Sequence, residues 1–588
     1  MVKDQLGILE TEDPSVALTA AIITALDEQS HGLTLSSVVG YLLNEEEVSG
    51  YLDPLTLLTH LIPSADPGVE GMLEVVRERC RPKEVMIACE ENLERVGRLV
   101  GDREEWEGEG EEGEGEGEGK KEVSLSIQIL RLIRMLTVIS TIPLRRKSAL
   151  SLSFIPELAI VIQRVGVRSD GFSKTEGRDG LWYSAELVER VVDLMEKREE
   201  EEGKGEWKEI LVKYISTAID TLGTHIQASL AKRAFGVCFP KFGGPLDEGW
   251  ERGDEVVRKL QSCFSRIGGV PGSVGSGFVL FAHGYMRGDG KWELGTYLPF
   301  MISSIQTNTL LDESLAVLLF SFFPSHSHSL PPSSPSFFPL LSLLPVLSST
   351  HPDPFIRHCA FRILGGILSV VPGLVQVEVL VELVEREGLG SKMRIAAIGL
   401  VKDAVLRALE QDQGEYSGNM NVMTSPRFLQ VFAPVLFVLK DSIVKLDGED
   451  LERDETITEL TRLGEVLALY YVLVMRDMRN RTGIRDLDNR ANFERTILAP
   501  LRGGVPRWIG VVRGGLRKEK EEEEGEEEEE KAKEKEEEEE KEKSHTSYAS
   551  GGLHSHSHSH ALAPLVSLQI GLERIDGMWE VIGRGGGR

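Results

Sequence analysis

A chain of 588 residues is too long for one compact core and suits three or four domains or one continuous repeat array. Its apolar fraction of 41% supports folded protein, and its net charge of −29 is uneven: −9 falls within Glu104–Gly119 and −10 within Lys518–Lys543, leaving −10 for the rest. Such a mildly acidic body argues against general affinity for nucleic acid phosphates.

The five cysteines, Cys80, Cys89, Cys238, Cys263 and Cys359, are scattered and form no C-x-x-C, as expected in a reducing compartment. The N-terminal MVKDQLGILETED has no hydrophobic run of the signal-peptide kind. Leu315–Phe323 is too short to span a bilayer and is followed by Pro324, so no membrane partner is expected.

Helical signals begin at Asp13-Pro14, with Val16, Ala20, Ile23 and Asp27 on successive turns. Leu33–Leu43 and Pro54–Leu61 follow, bordered by Asp53-Pro54 and Asp66-Pro67. Pro82 opens a helix whose stripe is Val85, Ala88, Cys89, Leu93 and Val96, and Cys89 on that stripe reads as a small buried side chain. The Glu/Gly run cannot bury apolar area and reads as a disordered loop over 104–122. Helix resumes at Val123–Ile142. The basic cluster Arg145-Arg146-Lys147 reads as a solvated turn or a nuclear-localisation signal. Phe154–Val165, Trp182–Met195 and one long helix over Trp207–Ala234 follow.

Gly236–Gly295 is glycine-rich. Its GSVGSG, Gly272–Gly277, lacks the strand–turn–helix context and the G-K-[ST] of a phosphate-cradling loop, and is assigned to a plain loop. After the apolar helix Leu310–Phe323 and the Ser/Pro/His linker 324–336, Asp353–Asp403 reads as three short helices. These are broken by Pro372-Gly373 and by Gly388 and Gly390. In the first, Asp353 caps and can pair with Arg357. Ser425-Pro426 supplies a cap and first turn for a helix kinked at Pro434. Thr456–Met478 steps apolar residues by three and four, ending in a polar turn at Arg476, Asp477 and Asn480. Phe493–Leu498 adds a turn or two before Pro500. Lys518–Lys543 reads as a tether, and Leu562–Ile582 as an amphipathic helix that docks on the array or in a partner's groove.

The chemistry is sparse. His554, His556, His558 and His560 alternate with Ser in an expected loop, which offers no rigid metal geometry. The Arg-Gly-Gly triplets at Arg502, Arg513 and Arg584 are isolated, unlike RNA-binding tracts. No H-E-x-x-H, G-x-S-x-G, P-loop or Rossmann fingerprint occurs. No catalytic, metal or cofactor-binding residue is assigned, no cofactor is expected, and partner-binding residues are left open. Helices that cannot bury their own stripes solve that problem by stacking. The expected fold is therefore an all-α, HEAT/armadillo-like helical-repeat solenoid with disordered acidic insertions.

Five strings in order carry a resemblance: RPKEVMIACEENLERV (Arg81–Val96), PFIRHCAFRIL (Pro354–Leu364), IAAIGLVKDAV (Ile395–Val405), TSPRFLQVFAPVLF (Thr424–Phe437) and LALYYVLVMRDMRNRTGI (Leu467–Ile484). Together they resemble the fungal YAP-binding protein and glomulin family over about residues 10–500 plus the last helix. The resemblance implies a non-catalytic HEAT-like binding protein. Glomulin masks the RING-box subunit of cullin–RING ubiquitin ligases with C-terminal repeats. The YAP-binding proteins support an AP-1-like transcription factor in the peroxide response, and a relative is linked to kinetochores. The expected protein is a cytoplasmic and nuclear regulator with such a partner; an importin-like or kinetochore-associated scaffold is the alternative. The expected organisation is repeats over 1–103, 123–323 and 337–516, a tether over 517–560 and a terminal helix over 561–583.

Overall fold

The computed structural model describes residues 13–26, 34–106, 122–141, 152–168, 171–197, 204–226, 229–242, 250–287, 294–323, 337–386, 390–411, 421–446, 450–451, 453–514, 517 and 557–585. Several expectations fall outside them: those for Asp27, for most of the Glu/Gly run, and for Arg145-Arg146-Lys147. The linker 324–336, the Lys518–Lys543 tether, and His554 and His556 also lie outside. The described residues are all-α with no strand, and one isolated antiparallel bridge joins Ser64 to Glu122. None of the helices among them is long and apolar enough to cross a membrane.

The chain divides into two units, Met1–His326 and Ser327–Arg588. The first holds α1 (Pro14–Ala25), α2 (Leu35–Asn44), α3 (Pro54–Leu61), α4 (Val69–Arg79), α5 (Pro82–Trp106), α6 (Leu125–Leu136) and α7 (Phe154–Gly166). It continues with α8 (Lys174–Glu196), α9 (Lys204–Leu222), α10 (Leu230–Cys238), α11 (Trp250–Ile267), α12 (Val274–Arg287), α13 (Leu294–Thr307) and α14 (Leu311–Phe322). Helices pack on near neighbours in the chain: α3 on α5, α5 on α6, α6 on α8, α8 on α9 and α11, and α10 on α14. This is the contact pattern of a helical-repeat solenoid. A single apolar core follows the chain from Leu18 to Leu280. The α5 stripe Val85, Ala88, Cys89, Leu93 and Val96 is buried in it.

The second unit holds α15 (Phe338–Thr350), α16 (Pro354–Val370), α17 (Gly373–Glu385), α18 (Ser391–Gln411), α19 (Arg427–Leu436) and α20 (Asp454–Arg476). It ends with α21 (Leu487–Phe493) and α22 (Ser557–Gly585). Here α15 lies on α16, α17 on α18 and α19, α18 on α20, and α20 on α22. The three helices expected within Asp353–Asp403 are α16, α17 and the first part of α18.

Aspartate starts and arginine stops recur. Asp13, Asp53 and Asp353 each accept a backbone N–H in the first turn of a Pro-initiated helix. Arg131, Arg178, Arg462 and Arg485 donate to carbonyls at the end of another element: Ile62, Ile226, Leu436 and Val474 respectively. A cation there satisfies orphan acceptors and suits the negative end of the helix dipole. Arg357 belongs to this pattern too. It donates to the His351 and Pro352 carbonyls, not to Asp353 as expected.

Other expectations need correcting. The long helix over Trp207–Ala234 is two helices. Arg178 takes the His225 and Ile226 carbonyls, Ser229 turns left-handed at φ 49°, and the Asp312 carboxylate of α14 accepts Leu230 N and Ala231 N. Both stops come from distant residues, so local periodicity ran through them. GSVGSG is only half loop. α12 begins at Val274 with Ser273 Oγ accepting Ser276 N, and the preceding element is the helix α11, not a strand. Its glycines serve close packing, since a Cβ on Gly275 would meet Asp220 Oδ1 at 2.6 Å. The acidic run is helical as far as Trp106, where α5 ends. Ser425 does not cap α19: its hydroxyl donates to the Val422 carbonyl. Helix does not stop before Pro500, because a π-turn at Glu494–Leu498 leads into helix over 499–514. α22 starts at Ser557, so His558 and His560 lie on helical backbone rather than in a loop.

Candidate protein-docking surface

Helix α19 stands between three grooves of the second unit. One, of about 490 Å³, is lined by Leu429, Ala433 and Phe437 on its near wall and by Thr482, Ile484 and Asn489 on its far wall. A second, of about 560 Å³, runs between Pro434, Val435 and Val438 and the charged residues Arg394, Lys440 and Glu459. The third, of about 820 Å³, lies between Val431 and α17. The sequence makes α19 suitable for this. Phe428, Leu429, Phe432 and Leu436 are buried on one face, while Pro426, Gln430 and Pro434 stay exposed on the other.

The far wall of the first groove is a rigid loop. Asp477, buried at the end of α20, accepts Arg481 N at 2.9 Å, Thr482 N at 2.8 Å and Thr482 Oγ1 at 2.7 Å. Asn480 and Gly483 adopt left-handed backbone at φ 51° and 76°. Asn480 Nδ2 donates to Asp486 Oδ1, Arg485 N donates to Asn480 Oδ1, and Asn489 Nδ2 donates to the Gly483 carbonyl. The polar end at Arg476, Asp477 and Asn480, expected as a plain helix end, is thus an organised groove wall.

The near wall is pinned as firmly. Arg462 donates to the Leu436 and Val438 carbonyls and pairs with buried Glu459 at 2.7 Å, and Lys440 lies 3.3 Å from the same carboxylate. Burial pushes the Glu459 carboxyl up, but the Arg462 hydrogen bond and the two cations outweigh it and hold the group below its ordinary range. Aromatic edges join the walls: Phe437 meets Phe493 with ring centroids 5.0 Å apart.

The terminal helix docks beside this surface, as one of the two expectations for it had it. Ala561, Leu565, Leu568, Leu572, Ile575 and Met578 are buried. Arg502 links Glu494 to Asp576, and the Arg490 guanidinium sits 4.0 Å from the centre of the Trp579 ring. Arg502, singled out for its Arg-Gly-Gly triplet, is therefore a structural bridge.

The thiols do not gather at a site. Burial pushes Cys80 and Cys263 up to about 12 and Cys238 to about 11, and moves Cys89 in the same direction. Among the described residues no three His, Cys, Asp or Glu side chains are grouped to hold a metal ion.

Residues 295–548 match the model of an uncharacterised protein family, YAP/Alf4/glomulin. Over that segment the chain is similar to the YAP/Alf4/glomulin family. No curated protein matches it. The matched residues contain α19, all three grooves and four of the five resemblance strings; Arg81–Val96 lies outside them. Three of those strings meet at this surface: Thr424–Phe437 contains α19, Ile395–Val405 brings Ile395 to the second groove, and Leu467–Ile484 ends in the loop of the first. That similarity suggests a protein-binding role in general terms. Periodicity alone had no means of finding this surface, because the residues lining one groove lie as far apart in the chain as Val384 and Arg462, or Pro426 and Thr496.

Proposed function

We propose that this chain is a non-catalytic regulator that binds a protein partner through the surface around α19, acting by steric masking or presentation. The convergence of three resemblance strings on that surface carries the reading. The finer reading is that the partner is the RING-box subunit of a cullin–RING ubiquitin ligase. Its support is that the grooves lie in the C-terminal unit, as do the masking repeats of glomulin to which this chain is similar.

A second reading rests on the cysteines. The partner is then an AP-1-like transcription factor of the peroxide response, and oxidant sensing resides in that factor, since the thiols of Cys80, Cys238 and Cys263 are buried or half-buried and pushed away from the reactive thiolate. Either role places the protein in the cytoplasm with access to the nucleus.

The test uses the purified intact chain. It is mixed separately with a purified RING-box–cullin assembly and with the AP-1-like factor, and complex formation is read by size-exclusion chromatography. Ubiquitin transfer is then measured on the first mixture. Co-elution with loss of transfer supports masking, and co-elution with the factor supports the second reading. Failure to bind either removes both.

A further inference from the structure

We propose that the groove between α17 and α19 docks a basic amphipathic helix of the protein partner. The inference rests on the protein-binding reading above and names the chemistry that the third groove would recognise.

Helix α17 carries two stripes side by side. Leu374, Val377 and Val381 are spaced i, i+3 and i+7, and Glu378, Glu382 and Glu385 are spaced i, i+4 and i+7. Val377 and Val381 line the groove with Val431 of α19 opposite, and the three carboxylates form its rim. Leu374, one turn earlier on the apolar stripe, is 66% exposed. Leu380, Leu383 and Val384 are buried, and Val377, one heptad before Val384 and equally buried, marks the edge of that core face; Leu374 and Val381 carry the apolar surface beyond it towards the carboxylates.

Charge selects the occupant. Arg386 pairs with Glu382 at 3.2 Å, and both side chains are more than half exposed, so a competing cation displaces it readily. Among the described residues neither Glu378 nor Glu385 has an ion-pair partner. In the same unit Glu459, Glu494 and Asp576 are each held by arginine. An apolar floor bounded by two helices takes the ridge of a third, read at i, i+3 and i+7. Lysine and arginine flanking that ridge lay their stems on Val381 and Val431 and reach the carboxylates. Phosphate-bearing surfaces are repelled by the same rim.

The test measures fluorescence anisotropy of the intact chain with a labelled Lys/Leu amphipathic peptide of about 18 residues, roughly 27 Å as a helix. A Glu/Leu peptide of the same pattern is the charge control. The triple variant Glu378→Lys, Glu382→Lys, Glu385→Lys is compared with Glu84→Lys, Glu91→Lys, Glu94→Lys on α5, which changes net charge equally. The α17 triple is expected to weaken Lys/Leu binding by about tenfold or more and the α5 triple by less than about twofold. Val381→Asp is expected to weaken it as well, with helix content and thermal midpoint checked for every variant. Equal loss in both triples means diffuse attraction and overturns the proposal, as does unchanged binding in the α17 triple. The partner assay separates the two levels. If the α17 triple still captures the native partner while changes at Gln430 and Val438 abolish capture, the docking inference falls and the protein-binding reading stands. If the partner assay fails for the unmodified chain, the protein-binding reading falls, and the inference falls with it.

Discussion

Phe493 lies face to face with Tyr470, their ring centroids 3.8 Å apart and their planes 10° from parallel. Phe493 also lines the groove beside α19, and Tyr470 belongs to α20, the helix on which α22 docks. One aromatic pair thus joins the groove to the terminal helix. Phe493→Ala is expected to destabilise the second unit by about 3–5 kcal/mol, the usual range for emptying a buried phenylalanine site. Phe493→Leu should lose less, since it restores volume but not the stack. Denaturant unfolding followed by tryptophan fluorescence, with Trp508 and Trp579 in this unit as reporters, checks the order. Equal stability for both variants would show that the stack holds nothing.

Asp477 organises the loop by accepting three hydrogen bonds while buried. Replacing it with Ala leaves Thr482 N–H and Oγ1–H without an acceptor inside the protein, at about 1–3 kcal/mol for the unsatisfied donors. Amide exchange over residues 477–486 should accelerate in Asp477→Ala more than in α20, and partner affinity should fall. Unchanged exchange in the loop would contradict its assignment as a rigid wall.

Glu313, in the first turn of α14, is buried, and burial raises its carboxyl from 4.5 to about 8. Its folded form therefore keeps a proton that the unfolded chain has released at neutral pH. With the folded value above the unfolded one, stability falls as pH rises between them, by roughly 1.4 kcal/mol per pH unit for one proton. Burial of His225 and His283 acts the other way below pH 6.5, since both are held neutral. The comparison is therefore with Glu313→Gln, expected to gain stability relative to the unmodified chain as pH rises from 6 to 8. Parallel stability curves would refute the assignment.

The cysteines give a chemical check. Cys89, Cys263 and Cys359 are buried, while Cys80 and Cys238 are partly exposed. Alkylation of the native chain at pH 7.5 should be slow throughout, with Cys80 and Cys238 reacting first and the rest only in denaturant. A fast-reacting thiol would reopen a redox role for the chain itself.

Helices whose starts lie beside them in the sequence were legible: Asp13-Pro14, Asp53-Pro54 and Asp353-Pro354 give local caps, and the α5 and α20 stripes give local periodicity. Ends made by residues far along the chain were not. The break at His225–Ser229 depends on Arg178 and Asp312, some 50 and 80 residues away, and no window of sequence contains both. The docking surface was hidden for the same reason. Its strings could be recognised one by one, but only folding brings Thr482 to face α19. The terminal helix was partly legible: its apolar spacing predicted docking, while the Arg502–Asp576 bridge required the structure.

The most direct test of the protein-binding account is the affinity of the intact chain for its captured partner, by isothermal titration calorimetry, with and without Gln430→Arg and Val438→Asp. Both side chains are exposed at the grooves, so the fold should be unchanged. The account predicts at least a tenfold loss of affinity, about 1.4 kcal/mol, with an unaltered thermal midpoint. Full affinity in that double variant would contradict it.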